Sequence, residues 1–457
     1  MTMLWRREVA QDLGPALVAC AGPLDGPPFA GAAIDSRRVQ AGALFFALRG
    51  ERHDGHDFIP QALAAGASGL VVSRPLSDPP AGVTVYHVTD TARALQLLAA
   101  ARRGRHPHLP VVGVTGSVGK TTCKELVAAV LARRYLVLKS EGNLNTEVGL
   151  PLALLGLREE HQVAVLEMAM FALGDIALLC RIARPRLGVL TNIGPVHLER
   201  LGSLGAIAAA KGELVEALPP DGLAVINGDC PWAHRLAARG PAPVVFYGTS
   251  SQCDVQGEVL ESRGLEGFTF RLRWRGREDT VRSPMPGRHH LHALLAAAAV
   301  GLALGMEWDE VVGALACARS DLRLRVLAGP RGSTVLDDSY NASPASVLAA
   351  LDLLAETPGR RIALLGDMLE LGEAALDGHR QVGAHAARTT DVLLVLGEMA
   401  SVVAEAARAA GHSDVRLPAD KEEATAMLAR ELGPGDYLLV KASRALALET
   451  VVEALTR

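Results

Sequence analysis

The run GVTGSVGKTT, Gly113 to Thr122, constrains this chain more than any other segment. An apolar stretch from Val111 to Val114 leads into a glycine-rich turn, and a helix-forming segment follows from Thr121. Strand, turn and helix in that order aim backbone amides and a helix N-terminus at one point, a cradle suited to phosphate. Gly116, Ser117, Gly119, Lys120, Thr121 and Thr122 are therefore candidate nucleotide contacts. Lys120 can reach the β- and γ-phosphates as a point charge, and the Thr121 hydroxyl can bind magnesium. The strict GxxxxGK[ST] pattern is not met, because Val114 stands where its first glycine would. The bland alternative is a glycine turn with a chance lysine. The strand before, the helix after and the GKTT ending favour phosphate binding.

A phosphate loop of this kind calls for parallel βαβ units around it, and the pattern supplies them. After the loop, apolar runs QVAVLEM, LGVLTNI and LAVIN alternate with helical stretches. From about Ser320 the logic repeats in STVLDD, RIALLGD, DVLLVLG and DYLLVKAS, each run ending in polar or small residues. Ligand sites in such sheets gather at the carboxyl ends of strands, where Asp337, Asp338, Asp367, Lys441 and Ser443 fall. Before the loop, short strand-like runs such as ALFFAL and GLVVS end at a basic, proline-containing boundary, Ala101 to Pro110. The expectation is an α/β protein of three domains: a small N-terminal α/β domain (1–106), a central P-loop domain with a doubly wound parallel sheet (107–319), and a C-terminal Rossmann-like domain (320–457).

With 457 residues, three cores are the natural prior, and 49% hydrophobic residues can fill them. A net charge of -4 gives no reason to expect a nucleic-acid partner or an acidic membrane surface. The six cysteines lie far apart with no CxxC pair, which argues against a disulfide framework or a zinc site and fits a reducing cytosol. The first residues, MTMLWRREVAQDLG, carry charge too early for a signal peptide. The longest apolar stretch, Ala293 to Gly305, is too short to cross a bilayer and reads as a buried helix. A cytoplasmic protein without membrane insertion is expected, and a monomer.

Phosphoryl transfer gathers anionic oxygens, so cations must neutralise the developing charge. Magnesium takes oxygen ligands, commonly one or two carboxylates plus waters. Glu167 closes the run QVAVLEM and would present a carboxylate beside the loop, while His197 follows the run LGVLTNI. Taken singly, Glu167 reads equally as a solvated loop acid and His197 as a packing residue. Lys211, in AAAKGELVEAL, reads on its own as a helix lysine with its ammonium in water.

The order of these segments resembles the Mur ligase family from end to end. TGSVGKTT is similar to the family's phosphate loop, SEGNLNTEVGLP to its asparagine-bearing substrate loop, and NIGPVHLERLGS and AKGEL to its histidine and lysine segments. DDSYNASP, LLGDMLELGE and KASR resemble the members that add a D-alanyl-D-alanine dipeptide more closely than their sister ligases, and DSRRVQAGALFFALRGERHDGHDF resembles the segment that grips a UDP-sugar.

The resemblance implies an ATP-dependent ligase that joins D-Ala-D-Ala to UDP-N-acetylmuramoyl-tripeptide through an acyl phosphate, in peptidoglycan precursor synthesis. It implies two Mg2+ ions held by Thr121, Glu167, His197 and a carbamylated Lys211, with Lys120 on the γ-phosphate. Arg323 and Asp338 would reach the nucleotide's phosphate and ribose. Ser36 and Arg37 would contact the UDP moiety, and Asn143 and Asn145 the muramoyl-peptide. Tyr340, Asn341, Lys441, Ser443 and Arg444 would face substrate in the cleft. The chain departs from the family pattern at His290 and Ala293, where asparagines would stand, at Phe171–Ala172, and at Leu322, which replaces a glycine before Arg323. Three alternatives remain: a sister ligase adding another amino acid, a nucleotide-binding relative without ligase activity, and a plain P-loop kinase or GTPase, which would not need the three-block layout. Retention of Lys120, Thr121, Glu167, His197 and Lys211 together argues against the second.

Overall fold

The computed structural model describes residues 4–50, 53–76, 81–196, 198–319 and 324–456. Among these, the strands form three sheets, one in each expected block. The first holds β1 (Leu17–Ala21), β2 (Ala32–Ala33), β3 (Leu44–Phe46), β4 (Gly69–Val72) and β5 (Thr84–Val88). Its order is β1-β5-β4-β3-β2, parallel except where β1 pairs antiparallel with β5.

The central sheet holds β6 (Val111–Thr115), β7 (Val137–Lys139), β8 (Val163–Glu167), β9 (Leu187–Leu190), β10 (Leu223–Asn227), β11 (Val244–Gly248), β12 (Val255–Ser262), β13 (Phe268–Trp274) and β14 (Arg277–Ser283). Its order, β7-β8-β6-β9-β10-β11-β12-β13-β14, puts the loop strand β6 between β8 and β9. That reversal of strand order is the switch point where a doubly wound sheet opens a crevice at the strands' carboxyl ends. β6, β8 and β9 are buried along their whole lengths, as continuous Val/Leu runs covered by helices on both faces should be. From β12 onward the sheet turns antiparallel, an extension absent from the expected purely parallel layout. The alternating burial of β13 explains it, since one face packs on the core and the other meets water.

The helix Leu291–Ala303 forms on the stretch expected to be buried, and Leu294 to Val300 are all buried. It packs on the helix Lys120–Leu131, which follows the phosphate loop. Small side chains at Ala296 to Ala299 let the two helix backbones approach closely, which anchors the loop's helix from below.

The third sheet holds β15 (Arg325–Ala328), β16 (Thr334–Asp337), β17 (Arg361–Leu365), β18 (Val392–Val395), β19 (Val415–Arg416) and β20 (Tyr437–Lys441), ordered β15-β16-β20-β17-β18-β19. Only β15 runs antiparallel. The carboxyl ends of β16, β17 and β20 open toward the same space as the phosphate loop.

Candidate active site

β6 delivers the chain into the glycine turn, and hydrogen bonds from the neighbouring strand end fix the turn's shape. Ser117 donates its backbone N–H to Asn192 O at 2.9 Å, and Val118 donates to Asn192 Oδ1 at 2.9 Å. The Ser117 hydroxyl donates to Gly194 O and accepts from Gly194 N, while Thr191 Oγ1 donates to Val118 O at 2.7 Å. Gly116 sits at φ +148°, and a Cβ there would come within 1.9 Å of Thr191 Oγ1. Gly119, at φ +80°, turns the chain into the helix that starts at Lys120. Lys120 Nζ donates to Gly116 O at 2.9 Å, so the lysine curls over the turn that cradles phosphate.

Glu167 ends β8 beside this turn and is almost fully buried. Its backbone N–H donates to Ser140 Oγ at 3.0 Å, and its Oε1 accepts from Asn145 Nδ2 at 2.8 Å. Its Oε2 is buried and has no hydrogen-bond partner among the described residues. A buried carboxylate oxygen left open at the mouth of a phosphate loop suits a cation. Lys211, on the helix Leu204–Glu216, is 1% exposed, which overturns the solvated-lysine reading. Burial holds its amine well below the usual value, and the Lys120 ammonium pushes it lower still. A neutral buried amine is the form that reacts with carbon dioxide, and carbamylation would convert it into an oxygen ligand. His197 lies outside the described residues, and so does Arg323. Among the described residues no three His, Cys, Asp or Glu side chains cluster as a metal site.

A cleft of about 970 Å³ joins the phosphate loop to the third sheet. Ser117, Gly119, Lys120, Thr121, Thr122, Asn145 and Glu167 line one wall, and Asp338, Tyr340, Asn341, Lys441, Ser443 and Arg444 the other. Lys441, 2% exposed, donates to Asp338 Oδ2 at 2.5 Å and to Asn341 O at 2.9 Å. The Ser443 hydroxyl accepts from Leu369 N at 2.8 Å, which ties β20's end to the loop after β17. The Arg444 guanidinium stands over the Tyr340 ring at 5.4 Å and pairs with Glu449.

Not every expected residue gathers there. Asp337 is taken up by Arg325 and by the Ser339 hydroxyl at 2.6 Å. Asp367 accepts from the backbone of Glu398 and Met399, closing the turn before the helix Ala400–Ala409. Both strand-end acids are structural. Asn143 is exposed on the loop that carries Asn145. Ser36 and Arg37 lie in the first domain, away from this cleft. Ser36 is buried and donates to Gln61 Oε1, while the exposed Arg37 grips Asp35 through two side-chain hydrogen bonds.

The structure also brings in residues that motif reading passed over. Asn192 shapes the loop through both its backbone and its side chain, although it stands in the very segment read for His197. Asp229 and His292 pair at 2.7 Å on the cleft wall beside Ala293, and Asp229 further accepts from Thr249 and Ser250. His290 is buried, its Nδ1 against Pro286 O at 2.8 Å, and burial holds it below its ordinary value. Its satisfied Nδ1 holds the ring in place where it lines the cleft beside His289 and Ala293.

A phosphate-loop sheet, a second Rossmann-like sheet facing it across one cleft, and a small leading domain define a nucleotide-dependent three-domain enzyme. Comparison with known families gives that class its family. Residues 114–301 match the Mur ligase middle domain, residues 322–444 the Mur ligase glutamate ligase domain, and residues 28–103 the Mur ligase family catalytic domain. The chain belongs to the Mur ligase family. It is 41% identical over 425 residues to the UDP-N-acetylmuramoyl-tripeptide–D-alanyl-D-alanine ligase of Synechocystis, covering 92% of this chain and 90% of that one. The Bacillus subtilis enzyme of the same name is 36% identical, with 93% of each chain covered. Among solved structures, MurF from Acinetobacter baumannii superposes with a TM-score of 0.86 at 29% identity over 99% of both chains. MurF from Thermotoga maritima in complex with ADP does so at 0.79 and 31%, over 93% of this chain and 96% of that one.

Proposed function

We propose that this chain is the ATP-dependent ligase that joins D-alanyl-D-alanine to UDP-N-acetylmuramoyl-tripeptide in peptidoglycan precursor synthesis. One observation carries the site assignment: the phosphate loop and the Asp338–Asn341 and Lys441–Arg444 segments share a single cleft. Relatives 36–41% identical along more than nine-tenths of the chain carry that enzyme's name.

The division of labour follows the three blocks. Residues 1–106 bind the UDP-sugar, with Ser36 and Arg37 at the uridine diphosphate. Residues 107–319 bind ATP, and residues 320–457 close over it and present the incoming amine. The loop amides from Ser117 to Thr122 hold the phosphates, and Lys120 swings from the loop carbonyls to the γ-phosphate. Asp338 takes the ribose and Arg323 the nucleotide phosphate. Asn143 and Asn145 face the muramoyl-peptide, and Tyr340, Asn341, Lys441, Ser443 and Arg444 hold the dipeptide.

Thr121, Glu167, His197 and carbamylated Lys211 would hold Mg2+, which neutralises charge on the transferring phosphoryl group. The free oxygen of Glu167 and the buried, easily deprotonated Lys211 fit that role. The tripeptide's terminal carboxylate attacks the γ-phosphorus and ADP leaves. The dipeptide's amine then attacks the acyl carbon of the acyl phosphate, loses a proton and expels phosphate. Lys120 stabilises the oxygens on which charge builds, and closure of the third domain keeps water from the acyl phosphate. The reaction uses soluble substrates, and among the described residues no helix is long and apolar enough to cross a membrane. We place the enzyme in the cytoplasm, with the synthesis of its nucleotide-linked substrate.

The test is ADP release across a set of UDP-MurNAc-peptides and candidate amines. Release that requires both the tripeptide and D-Ala-D-Ala is expected. Release with another amino acid and none with the dipeptide would reassign the chain to a sister ligase.

A further inference from the structure

One side chain next to the phosphate loop has no part in the scheme above, yet it is among the most deeply buried cations in the molecule. Lys124 is 0% exposed. It lies one helical turn beyond Lys120 and so on the same face of the Lys120–Leu131 helix. Its Nζ donates to Ser140 O at 2.6 Å and stands 2.9 Å from Glu125 Oε1. Glu125 is not its own to keep, since the other oxygen pairs with Lys139 at 2.5 Å.

Ser140 is equally buried and makes contact in three directions. Its backbone N–H donates to Val165 O at 3.1 Å in β8, and its carbonyl is held by Lys124. Its hydroxyl accepts the backbone N–H of Glu167 at 3.0 Å. Five residues later the same loop returns, and Asn145 donates from its amide to Glu167 Oε1 while its carbonyl accepts from Ala169 N at 2.9 Å. The Ser140–Asn145 segment therefore clasps the end of β8 on both sides of Glu167. Lys124 is the group that ties the foot of this clasp to the nucleotide-binding helix.

A buried ammonium is costly to desolvate, and a methionine of similar volume would fill the space without that cost. The stability of the fold therefore gives no reason for a cation there, whereas the geometry of Glu167 does. We propose that Lys124 is a positioning residue: through Ser140 it sets Glu167 relative to the phosphate loop, and so sets the site's affinity for the divalent cation that accompanies the nucleotide. This rests on the assignment of Glu167 as a cation ligand. Groups that orient a metal ligand from behind typically change metal affinity by about 10–100-fold when removed.

The experiment compares ADP binding by calorimetry in Mg2+ and in EDTA, for the full-length protein and its variants. The Mg2+-dependent gain in ADP affinity is the readout, and activity is not needed. Lys124→Met is expected to lose about 10-fold or more of that gain while its affinity for ADP in EDTA stays the same. Lys124→Arg, which can still donate to Ser140 O, should recover part of it. Glu167→Gln is the control that separates the two claims. If Glu167→Gln loses the gain and folded Lys124→Met keeps it, the positioning role is wrong and the Glu167 assignment stands. If Glu167→Gln keeps the gain, both fall together. Should Lys124→Met fail to fold, Ser140→Ala removes the hydroxyl that receives Glu167 N–H. An undiminished gain in that variant overturns the proposal, and a reduced one supports it.

Discussion

The molecule has two inter-domain junctions, and they are built on opposite principles. Between the first and central sheets there is no seam in the apolar core. One cluster runs from Val9, Leu13, Phe29 and Tyr86 through Leu95 and Leu98 to Leu150, Leu154, Leu166 and Met168. The helix Thr91–Gly104 belongs to both sides, and its buried Arg102 and Arg103 donate to Leu157 O and Ala183 O across the boundary. The third sheet keeps its cores to itself. They draw on residues from Leu327 onward, with Leu265 the one partly buried neighbour from the central block. Among the described residues it meets the central block across the cleft, through a Ser262–Glu356 hydrogen bond, at Gly264 and Gly287 beside Glu356 and Leu353, and where Gly372 meets the backbone of Glu199. A shared core moves as one body, whereas a junction that shares no core permits rigid-body motion. The first two domains thus share one core that carries the phosphate loop, and the closing motion proposed for the third would take place at the junction without a shared core.

If chemistry lives at the open junction and stability at the fused one, substitutions on the two sides should fail in different currencies. Lys120→Ala makes the largest change. Removing the cation assigned above to the transferring phosphoryl group should cut ligation by at least about a thousandfold. The melting temperature should stay within a degree or two of the parent protein. Comparable ADP release from the folded variant would refute the role given to Lys120. The mirror experiment is Leu98→Ala, in the middle of the shared cluster. A cavity there should cost about 2–5 kcal/mol, and residual activity at low temperature should be nearly normal. Denaturant unfolding followed at both sheets should shift as a single transition. Separate transitions for the first and central sheets would break the claim of a common core.

What the sequence made legible follows the same division. The phosphate loop was readable because a strand, a turn and a helix are contiguous, so local pattern contains the whole cradle. The β-strands of the parallel sheets were readable as continuous apolar runs, because helices bury both faces. The antiparallel extension β12–β14 went unread, since its half-exposed alternation is weaker than a solid Val/Leu run. Strand-end acids could be found but not sorted. Asp338 faces the cleft while Asp337 and Asp367 satisfy local turns and Arg325, and the partners that decide this include residues about 30 positions away. Lys211 reads as an exposed helix lysine until burial is known, and Lys124 gives no signal at all. Its partner Ser140 is brought to it only by the pairing of β7 with β8.

A smaller effect sharpens the contrast from within the central domain. Lys211 is buried on the helix Leu204–Glu216, and burial followed by the Lys120 charge keeps its amine far below the usual 10.5. In the pH range between that depressed value and 10.5, the unfolded chain holds a proton that the folded chain releases. Stability contributed by this group therefore rises with pH across that window. Lys211→Met removes the buried amine, so in carbon dioxide-free buffer it should be more stable than the parent by about 1 kcal/mol near neutral pH. That advantage should shrink steadily toward pH 10. Thermal unfolding of both proteins across pH 6–10, on the order of one unit per step, reads the difference. A gap that does not change with pH would mean that Lys211 titrates normally in the folded state.

The smallest expected effect is at the open junction itself. Ser262 ends β12 and donates to the Glu356 carboxylate at the end of the helix Pro344–Ala355, and both side chains are exposed. A solvent-exposed hydrogen bond to a carboxylate is largely replaced by water when broken. Ser262→Ala should therefore change stability by less than about 0.5 kcal/mol, a shift near the limit of a melting experiment. Because the bond spans the two bodies that must move, its loss should act on their relative population instead. Small-angle scattering of the variant should show a radius of gyration equal to or slightly above the parent's without nucleotide, and the same compact value with ADP and Mg2+. A drop in melting temperature like that of Leu98→Ala would show the third domain to be as firmly fused as the first, and the closing motion would then need another hinge.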